Sequence, residues 1–309
     1  MKKKIKQKKL LNFQHDLSKK RSLVYLNHKK MKSIFYLLVF FITFNTYAQL
    51  PRPQLSPKAK LVQTVGLSEV TIEYSRPAVR DRNIFGDLVP YDVLWRTGAN
   101  QNTLITFSDD VTVSGQSLPK GTYALYTIPK QDVWMVYFYN ETNNWGTPEN
   151  WDESQVSLAV RAKVQTVAHT ESFSISLENI TLDSADLQLT WEQVAIQIPI
   201  SFPTNKIMMS HISKMNVDSA SANDLYTAAV YYLNNGKDLQ KAKVWITKAV
   251  ELRTDAFWFF RQKSLIHEAL GELDMAIDAA KTSLQLAETS GNQQYIDLNK
   301  KQLATWGAE

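Results

Sequence analysis

The chain has 309 residues, with 35 basic and 30 acidic side chains and no cysteine. The lack of cysteine excludes disulfides, thiolate metal sites, a thiol nucleophile and a lipid-modified cysteine after a signal peptide. The length is sufficient for two domains, each stabilised by its own apolar core.

Residues 31–48 have the layout of a secretory signal peptide. Met31-Lys32-Ser33 is a short basic start, residues 34–44 form an apolar run too short to span a bilayer, and Thr46 and Ala48 are the small residues of a cleavage site. We therefore predict an exported protein, periplasmic or secreted. Residues 1–30 are predicted to be an extension from an upstream start codon, because Met31 begins a complete signal by itself.

The basic character of the chain belongs to this leader. Residues 1–48 hold 12 basic residues and one acidic residue, so the remaining 23 basic and 29 acidic residues give a net charge of −6. A mildly acidic surface repels phosphate backbones, which excludes nucleic acid as a partner. No second segment is apolar over enough residues to span a membrane, so no membrane span is predicted after cleavage.

Residues 60–200 show the period of two that is typical of half-buried strands. Val70, Ile72 and Tyr74 alternate with polar residues, and Val133–Tyr139 is apolar throughout, as in a central strand. Apolar and polar residues alternate on both sides of Glu192-Gln193, which predicts a hairpin. Pro199 in its second arm indicates that this arm lies near a sheet edge. Nine to eleven short strands predict an antiparallel, jelly-roll-like β-sandwich over residues 55–202.

From Ser221 the period changes to 3.6, which predicts an α-helical domain over residues 221–309. The predicted helices are 221–234, 238–252, 256–270, 273–287 and 292–304. Asp238 and Asp255 are predicted N-caps, and Gly271 is predicted to close a helix in the left-handed conformation. The linker, residues 203–220, is predicted to contain a connecting helix laid against the sandwich.

The helical domain contains an internal repeat. Ala242, Ile246 and Ala249 recur 34 residues later as Ala276, Ala280 and Ser283. This period and the small–apolar–small pattern resemble tetratricopeptide repeats. The last helix is expected to cap the array, or the array to pack on the β-domain. Both a peptide-binding groove and a structural annex fit the pattern.

Residues 76–100 fit neither period and form an unusually long connection. The segment combines apolar residues with four arginines and three aspartates, Asp81, Asp87 and Asp92. Arginine beside tryptophan can bind sugars or carboxylates through stacking and forked hydrogen bonds. The same residues can instead form an internal ion-pair clasp that holds the loop flat. The sequence leaves both interpretations open.

Several motifs in this segment resemble a family of exported bacterial proteins, domain of unknown function 2911. They are the runs Tyr74-Ser75-Arg76-Pro77, Arg82-Asn83-Ile84-Phe85-Gly86, Leu88-Val89-Pro90-Tyr91 and Trp95-Arg96-Thr97-Gly98-Ala99-Asn100. Further matches are Gly121-Thr122-Tyr123, Thr127-Ile128-Pro129, Trp134 and Trp145-Gly146. The resemblance covers residues 55–200 and implies no established activity. Family members carry an acidic residue after Gly-Ala-Asn, where this chain has Gln101.

The candidate binding residues combine these motifs with the arginines and with a second surface around two tryptophans. Trp145 and Trp151 lie in a polar loop and are predicted either to form a stacking platform or to pack under the sandwich edge. The candidate binding residues are Arg76, Arg80, Arg82, Tyr91, Trp95, Arg96, Thr97, Asn100 and Trp145.

No standard catalytic signature is present, and the three histidines after the leader are widely spaced. We therefore predict neither a metal nor a cofactor. The leading hypothesis is a non-catalytic binding module that takes a glycan or a periplasmic protein through the Arg/Trp-rich loop. One alternative is a glycan or peptide hydrolase that uses aspartates of the same loop, and another is a scaffold that binds protein partners through its C-terminal helices.

Overall fold

The computed structural model describes residues 16–22, 50 and 52–308. The predicted signal peptide at residues 31–48 lies outside the described residues. By its contacts the chain divides into two units, Met1–Gln54 and Leu55–Glu309. In the first unit, residues 16–22 are helical and exposed. The second unit holds both the β-domain and the helical domain.

The β-domain is an antiparallel sheet of nine strands in the order β1-β2-β3-β6-β7-β8-β9-β4-β5. An antiparallel β-domain followed by an α-helical array is therefore confirmed. The strands are β1 Lys58–Val65, β2 Ser68–Ser75, β3 Thr103–Phe107, β4 Val111–Val113, β5 Gln116–Leu118, β6 Gly121–Ile128, β7 Val133–Tyr139, β8 Val156–Glu178 and β9 Ser184–Ser201.

The alternating apolar residues build the core as the sequence pattern predicts. Val70 and Ile72 of β2 are fully buried, while Glu69 and Glu73 on either side of this pair are exposed. The apolar run of β7 is a central strand, paired with β6 on one side and β8 on the other. Such a strand buries residues on both faces, which explains its unbroken hydrophobicity.

Strand β8 connects the two halves of the sheet. Its residues 156–163 pair with β7, and residues 164–178 pair with β9. Buried side chains from both halves, such as Ile72 of β2 and Leu189 of β9, belong to one core. The Tyr74 hydroxyl links β2 to β8. It accepts a hydrogen bond from the Ile175 N–H at 3.0 Å and donates to the Ile175 carbonyl at 3.4 Å.

The hairpin predicted at Glu192-Gln193 is wrong, because β9 runs continuously from Ser184 to Ser201. Glu192 has a positive φ of 53°, and the pairing with β8 shifts register on both sides of Thr170. This irregularity moves the buried side chains from odd positions, ending at Trp191, to even positions from Ile196 onward. Pro199 lies in this strand between residues paired with β8 and residues paired with β4.

Six helices follow the sheet: α1 Thr204–Lys214, α2 Ala222–Asn234, α3 Leu239–Leu252, α4 Phe257–Ala269, α5 Leu273–Ser290 and α6 Gln293–Thr305. The five predicted helices correspond to α2–α6. Asp238 caps α3 by accepting hydrogen bonds from the Gln240 and Lys241 N–H groups, and Gly271 follows α4 with φ +74°. The predicted cap of α4 is wrong: Ala256 is the N-cap residue and no side chain caps it.

The repeated residues form the contacts between helices. Ala242, Ile246 and Ala249 of α3, and their counterparts in α5, are fully buried. Small side chains at these positions allow close helix packing. At the end of the array, Asn299 of α6 donates to the Ser283 hydroxyl at 2.8 Å, and that hydroxyl donates to the Phe257 carbonyl. The serine that replaces the repeat's alanine therefore anchors the last helix.

The connecting helix is confirmed as α1, but apolar side chains at its C-terminal end pack on the helical array instead of the β-domain. Ile212 and Met215 pack on the core of the helical array. The start of α1 is held to the β-domain, since the Thr204 hydroxyl donates to the Leu182 carbonyl at 2.8 Å. Among the described residues, no helix is both long and apolar enough to cross a membrane.

Candidate functional site

Residues 76–82 of the long loop run along the edge of β8 opposite β9. The Phe173 N–H donates to the Pro77 carbonyl at 2.8 Å, and the Val79 N–H donates to the Glu171 carbonyl at 2.8 Å. Ala78 and Ser172 form an antiparallel bridge between them. The segment occupies backbone groups of β8 that β7 no longer reaches, and we call it the edge cover.

Three of the candidate arginines serve the edge cover. Arg76 Nε donates to the Phe173 carbonyl at 2.9 Å, and Arg80 Nη2 donates to the Leu55 carbonyl at 2.7 Å. Arg82 donates to two carbonyls of the cover itself, at 2.9 and 2.6 Å. The loop is therefore held by arginine–carbonyl bonds rather than by the ion pairs that the clasp interpretation required.

The candidate residues Trp95 and Thr97 fix the far end of the loop. The Trp95 ring is half-buried and stacks on Trp191 at a centroid distance of 5.9 Å, with Phe173 at 5.2 Å. Its backbone exchanges two hydrogen bonds with Thr127, at 2.7 and 2.9 Å. Thr97 is fully buried, and its hydroxyl donates to the Thr127 hydroxyl at 3.2 Å.

Asn100 and Tyr91 are also held within the protein. The Asn100 side chain donates to the Ser56 carbonyl at 3.3 Å. The backbone of Asn100 itself has a positive φ of 61°. The Tyr91 ring lies so close to Gly86 that a Cβ there would be 2.8 Å from it, and Gly86 has φ +94°. The two motif residues therefore stabilise tight backbone turns.

A groove of about 380 Å³ brings together the remaining candidates, Arg96 and Trp145, with the edge of Trp95. Trp145 is 76% exposed, and Leu88 and Val93 beside the groove are about half exposed. We call this the Arg96 groove, and no acidic side chain lines it. Its lining is Leu88, Val89, Pro90, Val93, Leu94, Trp95, Arg96, Trp145, Gly146 and Thr147.

The wall of the Arg96 groove is anchored to a small aromatic cluster on the outer face of the sheet. The Tyr126 hydroxyl donates to the Gly146 carbonyl at 3.4 Å. Burial raises the pKa of Tyr126. Trp151 stacks on Tyr139 at 4.5 Å. The two loop tryptophans therefore differ: Trp151 is packed, and Trp145 is open to solvent.

The three aspartates of the loop do not form a carboxylate pair. Asp81, Asp87 and Asp92 are all exposed, and none lines the Arg96 groove. Asp92 pairs with Lys130 at 2.7 Å. Paired-carboxylate hydrolysis requires two carboxyl groups on either side of a bound substrate, and the groove does not supply them.

Sequence reasoning missed a second cavity, of about 280 Å³, beside the β1–β2 edge. Gln101 and Asn102 line it together with Lys58, Lys60 and Glu73. Asn102 is 3% exposed and donates to the Thr142 carbonyl, while its Oδ1 has no hydrogen-bond partner. The departure from the family pattern at Gln101 was the available signal, but no local pattern connects Gln101 with Lys58 and Lys60.

The helical array has a cavity of its own, of about 450 Å³, between α3, α4 and α5. Phe260, Met275 and the buried His267 line it. Docking of a protein partner on the helices stays a prediction. Among the described residues, no group of three His, Asp or Glu side chains is arranged to hold a metal ion.

The comparisons with known proteins point to the same family as the sequence motifs, and they add no known activity. Residues 56–200 match the sequence model of one family, and this range spans the nine strands except their outermost residues. No curated protein and no solved structure matches the chain. The family that matches the β-domain is described as Protein of unknown function (DUF2911).

Proposed function

We propose that the protein is a non-catalytic binding module whose ligand occupies the Arg96 groove. The observation that carries this proposal is the combination of an exposed tryptophan, Trp145, with an arginine in one concave site. Contiguous exposed apolar patches often mark binding sites, and Trp145 shares this groove with the exposed Leu88 and Val93. The volume, about 380 Å³, lies within the range of small-ligand sites.

A glycan is the ligand class that best fits this lining. The open face of Trp145 offers a flat apolar surface for a sugar ring, and Arg96 offers hydrogen-bond donors to its oxygens. The groove lies between loops, whereas extended peptides commonly pair with a free strand edge. The edge of β8 opposite β9 is already occupied there by the edge cover.

The hydrolase alternative has less support than binding. Its aspartates face solvent outside the groove, and one of them is already paired with a lysine. The same geometry that supports sugar stacking supplies no group to protonate a leaving oxygen or to activate water.

The proposed compartment is outside the cytoplasm, in the periplasm or the medium. Its support is the signal-like layout of residues 31–48 and the acidic net charge of the remainder. Mass spectrometry of the protein expressed from its own gene is expected to find a mature N-terminus at Gln49. A full-length cytoplasmic product contradicts export.

Calorimetric titration of neutral and acidic oligosaccharides into wild-type protein tests the binding function. At least one is expected to bind, with affinity reduced at least tenfold in Trp145→Ala, because the stacking surface is removed. Trp306→Ala, at the end of α6, is the control for loss of a tryptophan and is expected to bind like wild type. Equal affinity of Trp145→Ala and wild type contradicts a ligand in the groove.

A further inference from the structure

We infer that the Arg96 groove selects sugars that carry a carboxylate, such as uronic acids, over their neutral counterparts. This inference rests on the proposed binding function and specifies its ligand. The carboxylate pairs with the Arg96 guanidinium while the sugar ring lies on Trp145.

Arg96 has hydrogen-bonding capacity left for a ligand. Its Nη1 donates to the Asn100 carbonyl at 2.9 Å, and this is its one hydrogen bond within the described part of the chain. A guanidinium has five N–H donors in a planar fork that matches the two oxygens of a carboxylate. Four donors therefore stay available.

The charge of Arg96 is not neutralised by the protein. No carboxylate of the described residues lies within 4.0 Å of it, and the lining of the groove contains no acidic residue. The residue is half-buried. A cation partly removed from water gains more from an anionic partner than a fully exposed one does. The site therefore favours an anion over a neutral group of the same shape.

The guanidinium is also held in place before a ligand arrives. A Cβ at Gly146 would be 3.1 Å from Arg96 Nη1, so the backbone of residue 146 closely borders the guanidinium. The Tyr126 hydroxyl donates a hydrogen bond to the Gly146 carbonyl and so fixes that backbone. The Asn100 carbonyl accepts a hydrogen bond from the guanidinium itself. Binding to a positioned group costs little side-chain entropy.

The other three arginines of the loop do not offer a guanidinium to a ligand in the groove. Arg76 and Arg82 donate to carbonyls of β8 and of the edge cover, and Arg80 donates to the Leu55 carbonyl before β1. None of these three arginines lines the groove. Recognition of the carboxylate is therefore assigned to Arg96 alone.

The test compares trigalacturonic acid with its fully methyl-esterified form, which has the same sugar rings but a neutral methyl ester in place of each carboxylate. Calorimetric titration of residues 49–309 is expected to show at least tenfold tighter binding of the acid. In Arg96→Gln the acid is expected to bind no better than the ester. Arg161→Gln, an exposed arginine on β8, is the control and is expected to keep the preference.

The outcomes separate this inference from the proposed function. Equal affinity for acid and ester in wild type overturns the carboxylate inference and needs no variant, so misfolding of Arg96→Gln cannot obscure it. Binding of neutral oligosaccharides alone overturns it in the same way and leaves the binding function standing. Failure of every oligosaccharide to bind overturns both.

Discussion

The hydroxyl of Tyr74 joins β2 to β8, two strands that are far apart in the sheet order. It satisfies both the N–H and the carbonyl of Ile175 at a buried position. Tyr74→Phe keeps the ring against Phe173 but leaves both backbone groups unpaired. We expect a loss of about 1–3 kcal/mol in the free energy of unfolding, measured by chemical denaturation.

Tyr91→Phe is the matched control for this change. Tyr91 lies in the same loop region, and its hydroxyl has no hydrogen bond among the described residues. Its replacement is therefore expected to leave the unfolding midpoint unchanged within error. Equal destabilisation by the two substitutions would contradict a specific role for the bonds to Ile175.

At the scale of single residues, the sequence predicts which residues are important more successfully than it predicts the contacts that each of them makes. It identified the four arginines of the loop, but all four donate to backbone carbonyls and only Arg96 also lines the groove. The Arg76 partner, Phe173, lies 97 residues away, so local composition carries no information about it. Trp145 and Trp151 differ for the same reason, since only the position of Tyr139 decides which ring is covered.

Helices were predicted closely because their signals are local. The cap at Asp238 and the left-handed glycine at residue 271 act within one turn of the chain. Strand β9 shows the limit of local signals. A switch of the buried side from odd to even positions indicates either a turn or a bulge, and only the pairing with β8 distinguishes them.

Glu272, at the start of α5, links two other helices. Its carboxylate lies 2.6 Å from Lys243 Nζ and 2.6 Å from His267 Nδ1. The hydrogen bond from Lys243, followed by that from His267, lowers the pKa of this carboxyl. Because this pKa is lower in the folded state than in the unfolded state, the ionised carboxylate stabilises the folded protein at pH values above the ordinary pKa of a glutamate. The stabilisation is lost as the pH falls through the lowered pKa.

Glu272→Gln is therefore expected to lower the melting temperature at neutral pH. It is also expected to reduce the fall in melting temperature that acid causes in wild type, because the titrating group has been removed. Thermal melts between pH 3 and pH 7 measure both effects. Glu251→Gln, an exposed change on α3, is the control, and a Glu272→Gln profile parallel to wild type contradicts the role of the carboxylate.

The described residues form two main apolar cores, one in the β-domain and one in the helical array. Phe259 is fully buried in the second core and stacks on Tyr226 at 4.3 Å. Phe259→Ala is expected to cost about 3–5 kcal/mol in the helical array alone. Scanning calorimetry is expected to show one transition lowered and the other unchanged.

Phe138→Ala tests the reverse case, because Phe138 is fully buried in the β-domain core. It is expected to lower the other transition. If each substitution lowers a single common transition instead, the two cores unfold as one cooperative unit.

The edge cover also affects how the chain can fold as it is made. Residue 76 is synthesised 97 residues before its partner at 173, and β7 also precedes β8. When a nascent chain reaches β8, the segments that occupy one side of that strand already exist, and only β9 has still to emerge. Unpaired strand edges are the usual sites of contact between incomplete chains. The order of segments therefore shortens the time in which neighbouring copies could associate through this strand.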